Sequence, residues 1–182
     1  MVAAPPPRIE GRNLALRLIL PSDAAYVFSL RTNPLYNRHI SEVTGNVDDQ
    51  RAWIERYKCR ESRLAEFYYI IERLDGSVCG TVRIYNIQDG CFTWGSWVLD
   101  HNKPAKAAFE SAILSLGVGF DCLNLEKALI DVRITNEHAE RFYRRFGMTE
   151  THRSDVEIFF NFSRWQFELQ KNRYHSVMSG EA

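Results

Sequence analysis

Residues 127–147 read KALIDVRITNEHAERFYRRFG, and they indicate the fold more firmly than any other part of the chain. An apolar, β-branched run at the start of this stretch predicts a strand, and Asn136 is a residue type that favours helix N-termini. The segment that follows has one apolar face and stops at Gly147, as helices often do at glycine. This strand and helix would place Asn136 and Tyr143 two turns apart at the edge of a sheet.

The composition is that of a globular protein without a charge bias. Hydrophobic residues make up 45% of the chain, and Lys+Arg and Asp+Glu both number 23. The neutral balance argues against a general nucleic-acid binder, because such proteins carry a basic excess. The four cysteines contain no CxxC pair and the five histidines no HExxH spacing. We therefore expect a reduced protein without a bound metal.

The length of 182 residues suits one domain with a sizeable core. The early apolar run at 14–20 is far too short to span a membrane, and the N-terminal sequence MVAAPPP lacks the order of a signal peptide. We expect a single domain over residues 1–182, located in the cytoplasm, with no membrane span and no nucleic-acid partner. Residues 1–11 and 175–182 are expected to be flexible tails.

The order of predicted elements indicates a mixed fold. Asp75-Gly76 is a strong hairpin signal within a run of three strands, and Gly117 and Gly119 predict an irregular end to a long helix. The order predicts an α+β fold, with a mostly antiparallel sheet of about seven strands and helices on both faces. The predicted elements are a strand at 13–20, a helix ended by Asn33-Pro34, a loop at 35–46, a helix opened by Asp48 or Asp49, strands at 67–74, 77–87 and 91–99, a helix from Pro104, a strand at 127–134, a helix at 137–146, and a final hairpin formed by 155–160 and 164–169.

The segment LNLEKALIDVRITNEHAERFYRRFGM, set in this order of elements, resembles the GNAT superfamily of acyl-CoA-dependent N-acyltransferases. The residues that carry the resemblance are Asn136, Ala139, Phe142-Tyr143 and Gly147-Met148, and it extends over roughly residues 12–170. The resemblance implies acetyl-CoA as co-substrate, and an acceptor amine that attacks the thioester directly in a ternary complex.

Two residues of this segment would carry the chemistry by resemblance. Asn136 would bond to the pantetheine arm, and Tyr143 would protonate the departing CoA thiolate. A phenol is a competent acid for a thiolate of similar basicity. The alternative interpretation is structural, with Asn136 only a helix cap and Tyr143 only part of an apolar face.

The loop before the long helix departs from the superfamily pattern, which has glycines that let backbone N–H groups hold the pyrophosphate. Here the sequence offers no glycine, and Pro104 has no N–H. A helix N-terminus still attracts anions, so we predict that this loop binds the cofactor. The alternative is that its lysines are ordinary surface residues, in a non-catalytic binding or scaffold protein that keeps the fold. The predicted cofactor-binding residues of the loop are Lys103, Ala105, Lys106, Ala107 and Ala108.

The strand TWGSWVL has a second role by resemblance. Backbone groups near Trp97, Val98 and Leu99 would contact the pantetheine and the thioester carbonyl. Backbone donors aimed at a developing oxyanion are the expected stabiliser of acyl transfer.

The variant NKPAKAAFESAIL resembles a narrower branch of N-acetyltransferases that act on amino sugars of surface-polysaccharide pathways. The expected acceptor is therefore a small amino sugar, most often linked to a nucleotide. A protein N-terminal amine, as in ribosomal-protein acetyltransferases, is the alternative, and the sequence leaves a homodimer open. Arg31, Asn37 and His39 are the predicted substrate contacts, and His39 is the first candidate for the general base, ahead of Glu42, Asp100 and His101.

Overall fold

The computed structural model describes residues 4–180, which form one mixed sheet with helices on both faces. The strands are β1 Arg8–Glu10, β2 Leu14–Leu18, β3 Phe67–Arg73, β4 Val78–Gln88, β5 Cys91–Leu99, β6 Lys127–Arg133, β7 Thr149–Arg153 and β8 Glu157–Ser163. The helices are α1 Ala24–Thr32, α2 Val47–Ser62, α3 Ala107–Gly117, α4 Glu137–Arg145 and α5 Arg164–Ser179.

The sheet has the order β1-β2-β3-β4-β5-β6-β8-β7. Neighbouring strands are antiparallel except β5 and β6, which run parallel. The predicted α+β fold is confirmed, and the sheet has eight strands where we expected about seven. Two strands were not predicted, namely β7 and β1, and β1 consists of three residues with a single half-buried apolar side chain.

Two apolar cores cover the two faces of the sheet. The larger core packs the sheet against α3, α4 and α5, and the smaller core packs β3 against α1 and α2. The first six residues of β3 are buried, because both faces of this strand are covered. The helix distribution leaves β6 and β8 covered on one face only, so that β6 alternates between buried and exposed residues.

The strand and the capped helix predicted within residues 127–147 are both present. The Asn136 side chain caps α4 by accepting from the Ala139 N–H at 3.2 Å, and Gly147 after the helix has a φ of 89°. The irregular end predicted for α3 is also found, because the helix continues as a π-helical turn over Val118–Cys122. Gly119 in this turn lies against the Phe92 ring, where a Cβ atom would overlap the ring.

The prediction of a final hairpin from 155–160 and 164–169 is wrong. The second segment forms α5, whose first turn is closed by a capping box between Ser163 and Gln166. The strand that pairs with β8 is instead β7. Its exposed polar residues gave no apolar alternation to recognise.

The prediction of flexible tails at 1–11 and 175–182 is wrong where the structure describes them. β1 lies in the first segment and pairs with β2, and α5 continues to Ser179 in the second. Residues 1–3 and 181–182 lie outside the described residues.

Candidate functional site

The sheet opens between β5 and β6. The two strands pair at only three positions, from Cys91–Lys127 to Thr93–Leu129, and then diverge. A bulge in β5 contributes, because the register with β4 shifts there and Ser96 has a φ of 48°. The gap between the strands is a cavity of about 640 Å³.

Most of the predicted site residues surround this cavity. Both candidate catalytic residues line it, as do most of the predicted cofactor contacts and one further substrate contact. These residues are Tyr143, His39, Trp97, Val98, Leu99, Lys103, Ala108, Asn136 and Arg31. Four predicted residues are not part of its lining, namely Asn37, Ala105, Lys106 and Ala107.

Tyr143 stands in the wall of the cavity with 7% of its surface exposed. Its ring is enclosed by aromatic neighbours, with centroid distances of 5.9 Å to Trp94, 6.3 Å to Trp97 and 5.8 Å to Phe160. Burial, and next the charge of Asp131, raise the pKa of this phenol well above its ordinary value. The hydroxyl therefore keeps its proton at neutral pH, and within residues 4–180 it has no hydrogen-bond partner.

The two tryptophans beside Tyr143 are held by serines of α3. Trp94 Nε1 donates to Ser115 Oγ at 2.8 Å, and Trp97 Nε1 donates to Ser111 Oγ at 3.1 Å. These serines are one helical turn apart, so a single face of α3 fixes both indoles. The diverging end of β5 is thereby tied to a helix rather than to β6.

The N-terminus of α3 presents free backbone donors. No side chain caps this helix, and within the described residues nothing accepts from the N–H groups of Ala108 and Phe109. Ala108 and Lys103 line the cavity, whereas the Lys106 ammonium turns away and donates to the Val177 carbonyl. Uncapped N–H groups at a helix start suit an anion such as a pyrophosphate, although this loop has no glycine.

The loop after α1 forms the opposite wall. The His39 imidazole lies 3.4 Å from Thr135 Oγ1, and burial, Arg38 and Arg133 lower its pKa. Arg31 donates to the carbonyl and the hydroxyl of Ser41, at 3.1 and 2.7 Å. The Nε of Arg31 is buried and has no partner within residues 4–180.

The other three candidates for a general base lie away from the cavity. Asp100 is 3% exposed and accepts hydrogen bonds from the Tyr26 hydroxyl at 2.8 Å and the Asn102 N–H at 2.7 Å. His101 lies 3.1 Å from the Tyr36 hydroxyl, and Glu42 is exposed. Asp100 is thus a structural residue that joins α1 to the turn after β5.

Several polar residues of the cavity were not predicted from the sequence, among them Asp131, Arg133 and Glu157. Asp131 and Arg133 are on the face of β6 that no helix covers, and Glu157 is at the start of β8, opposite Arg133. The sequence contained a signal for Asp131, because successive side chains of a strand point to opposite faces. Ile130 and Val132 are apolar, so Asp131 lies on the other face of β6.

No helix in residues 4–180 has the length and apolarity that crossing a bilayer requires. The same residues contain no cluster of three or more side chains suited to hold a metal ion.

Comparison with known proteins agrees with this geometry. The family model described as an acetyltransferase (GNAT) domain matches residues 13–149. Among solved structures, one described as apo FdhC, a nucleotide-linked sugar GNAT, is 34% identical with a TM-score of 0.86, and the match covers 92% of this chain and 96% of that one. No curated protein sequence matches.

More distant structures share the fold. The spermidine N-acetyltransferase of Vibrio cholerae, in complex with CoA and spermine, is 18% identical with a TM-score of 0.75, over 86% of this chain and 98% of that one. The ribosomal-protein-S5-alanine acetyltransferase of Vibrio fischeri is 14% identical with a TM-score of 0.72, over 86% and 96%. The family match covers most of the chain, and the chain belongs to the GNAT family of acetyltransferases.

Proposed function

We propose that this enzyme transfers an acetyl group from acetyl-CoA to the primary amine of a nucleotide-linked amino sugar. The observation that carries the acceptor class is the basic wall of the cavity, where Arg31 has a buried Nε without a partner. A buried donor of this kind is costly unless a ligand satisfies it, and a guanidinium is well suited to a phosphate. The similarity to a nucleotide-linked sugar GNAT supports the same class.

The cofactor side of the cavity fits acetyl-CoA. The uncapped N–H groups of Ala108 and Phe109 would receive the pyrophosphate, and Asn136 would contact the amide arm. When bound, acetyl-CoA supplies an activated thioester. The β6-facing edge of β5, left unpaired from Trp94 to Leu99, would hold the thioester carbonyl.

Tyr143 is the acid of the proposed reaction. Its buried phenol keeps its proton at the pH where the enzyme would work, and the hydroxyl is not engaged by another described residue. It can therefore give that proton to the sulfur as the C–S bond breaks.

An acceptor panel tests the substrate class. Purified enzyme and acetyl-CoA are incubated with UDP-linked and dTDP-linked amino sugars, free amino sugars, spermidine, and a peptide bearing the N-terminus of a ribosomal protein. We expect an acetyl mass increment on a nucleotide-linked amino sugar. Preferred acetylation of the peptide or of spermidine would overturn the proposed acceptor class.

A variant of Arg31 makes the test sharper. Arg31→Met should raise the KM for the nucleotide-linked acceptor by at least about tenfold, because charged hydrogen bonds contribute about 1.5–3 kcal/mol each. The KM for the corresponding free amino sugar should stay unchanged, because that acceptor has no phosphate. Arg38→Met, at an exposed position in the same loop, is the matched control.

Cofactor binding separates an enzyme from a scaffold protein with a degenerate phosphate loop. Acetyl-CoA at a hundredfold excess over its dissociation constant should stabilise the fold by about 2.7 kcal/mol. No thermal shift at millimolar acetyl-CoA would favour the scaffold.

A further inference from the structure

Two carboxylates, on β6 and β8, line the cavity without forming a salt bridge within residues 4–180. Asp131 pairs with Phe159 across the two strands and Arg133 pairs with Glu157, so Asp131 and Glu157 are diagonal neighbours on one face of the sheet. Such neighbours are roughly 7–8 Å apart. Neither carboxylate belongs to a salt bridge within residues 4–180, although both line the cavity that contains Tyr143.

This arrangement costs free energy in the unliganded protein. The cavity walls, and next the charge of Glu157, disfavour the ionised form of Asp131 and raise its pKa. A cation placed between the two carboxylates would offset both effects.

A second observation points to the same place. Tyr143 is 7% exposed and lines the cavity, and its hydroxyl has no partner among the described residues. After burial, the charge of Asp131 contributes most to the raised pKa of the Tyr143 phenol, and both residues line the same cavity. The cavity thus contains the Tyr143 phenol without a hydrogen-bond partner and two carboxylates without a salt bridge among the described residues. Together these groups form a site for a reacting amine.

We propose that Asp131 and Glu157 bind the acceptor's ammonium group beside Tyr143, and that Asp131 takes the proton the amine loses before it attacks. The proposal rests on amine acetylation as the proposed function and adds the residues that recognise and activate the amine.

His39 is less suited to this role. Burial, and next the charges of Arg38 and Arg133, lower the pKa of its imidazole, so His39 is a weaker base than an ordinary histidine. The cavity is lined by carboxylates on β6 and β8 and by the cations Arg31, Lys103 and Arg133. An acceptor that carries both an ammonium and an anionic group matches this lining.

Each proton of the proposed reaction has a donor and an acceptor. The ammonium gives one proton to Asp131, and the neutral nitrogen forms a bond to the thioester carbonyl carbon. The C–S bond breaks, and the leaving sulfur takes the Tyr143 proton. The new amide nitrogen loses its second proton, which returns to the Tyr143 oxygen, and Asp131 releases the first proton to water.

The test compares a charged with an uncharged nucleophile. Asp131→Asn should lower kcat/KM for the acceptor amine at pH 7 by at least about tenfold, the lower range for general base catalysis. Acetyl transfer to hydroxylamine, which is mostly uncharged at this pH, should stay within about twofold of wild type, because no proton has to be removed first. Asp155→Asn, at an exposed turn position, is the control and should change neither rate.

Glu157→Gln tests the pairing of the two carboxylates through the pH profile. The wild-type kcat should fall as pH drops through the raised pKa of Asp131. Removing the Glu157 charge should move this acid limb to lower pH. Of the other ionisable residues in the lining, Tyr85 on β4, Tyr143 on α4 and Arg133 on β6 keep their charge in this range. His39 and His138 bring imidazoles to the same cavity, so the acid limb is assigned to Asp131 by its shift in Glu157→Gln and its loss in Asp131→Asn.

The outcomes distinguish the proposals. If Asp131→Asn lowers the rates with the amine and with hydroxylamine equally, or lowers neither, the role of Asp131 is refuted. An acid limb that stays in place in Glu157→Gln refutes the pairing. If the wild-type enzyme acetylates a different class of amine, the nucleotide-sugar assignment fails, and the same variants test the carboxylates with that amine.

Discussion

The indole nitrogen of Trp94 donates a 2.8 Å hydrogen bond to the hydroxyl of Ser115, which ties β5 to α3 inside the larger core. Both residues are almost fully buried. The bond joins the strand that borders the cavity to the helix whose N-terminus would receive the cofactor. The fold therefore fixes the two halves of the cofactor site relative to each other through a side chain pair.

Removing the Ser115 hydroxyl should destabilise the fold. Ser115→Ala leaves the Trp94 N–H buried without an acceptor, at a cost of about 1–3 kcal/mol in the free energy of unfolding. Ser111→Ala should cost less, because its partner Trp97 is only half-buried. Urea denaturation measures both, with Ser176→Ala on the exposed face of α5 as control. Equal costs for the two serines would contradict the proposed importance of burial.

Tyr143→Phe should lower turnover by at least about tenfold with little change in acetyl-CoA affinity, because only the transferable proton is lost. The pH profile of wild-type kcat gives a second check. Since burial raises the pKa of Tyr143, its ionisation should not reduce kcat until the pH is above the ordinary tyrosine value of about 10. Unchanged turnover in Tyr143→Phe would remove this residue from the mechanism.

Gly119→Ala should be strongly destabilising. The added methyl would overlap the Phe92 ring, and both residues are fully buried. We expect a loss of about 1–3 kcal/mol from overpacking, measured by chemical denaturation. Gly117→Ala in the same helix is the matched control, because its added methyl would make only ordinary contacts. That variant should be neutral or slightly stabilising, since alanine favours helices.

The His39 imidazole should titrate below its ordinary pKa of about 6.5, because burial and two arginines disfavour its charged form. His39 therefore opposes folding as pH falls below the ordinary value, where the unfolded chain binds the proton more readily. NMR titration of the imidazole measures the midpoint. Arg133→Gln should raise it, and an unchanged midpoint would show that Arg133 does not act on His39.

Local sequence signals predicted most of the elements. The strands β3, β4 and β5 combine β-branched and aromatic runs with turn residues, and α4 has both a cap and a stop signal. These signals act within a few residues, so they can be recognised without the tertiary structure.

The failure at the C-terminus has a physical reason. Trp165, Phe167 and Leu169 alternate with polar residues, which is typical of a strand, yet they belong to α5. Trp165 is 69% exposed and Leu169 is 44% exposed, so the alternation does not follow a buried face. The Ser163–Gln166 capping box was the local signal for a helix start. It predicts the structure of this segment better than the alternation of apolar and polar residues does.

The site was only partly predictable, because its walls come from distant parts of the chain. The sequence pattern identified Asn136 and Tyr143, which share one helix. Asp131 and Glu157 are close to each other because of the register of β6 with β8, and no short sequence motif specifies that register. Likewise, Asp100 looked available as a base until the structure showed its hydrogen bond to Tyr26.

The short pairing between β5 and β6 has a consequence for how new acceptor preferences could arise. On β6, Asp131 and Arg133 face the open side of the sheet, while Ile130 and Val132 pack against the helices. Substitutions at the open positions change the surroundings of the amine without disturbing the core or the donor-binding helix. In this chain a single strand thus separates the positions that line the cavity from the positions that hold the core, by the alternation of its side chains.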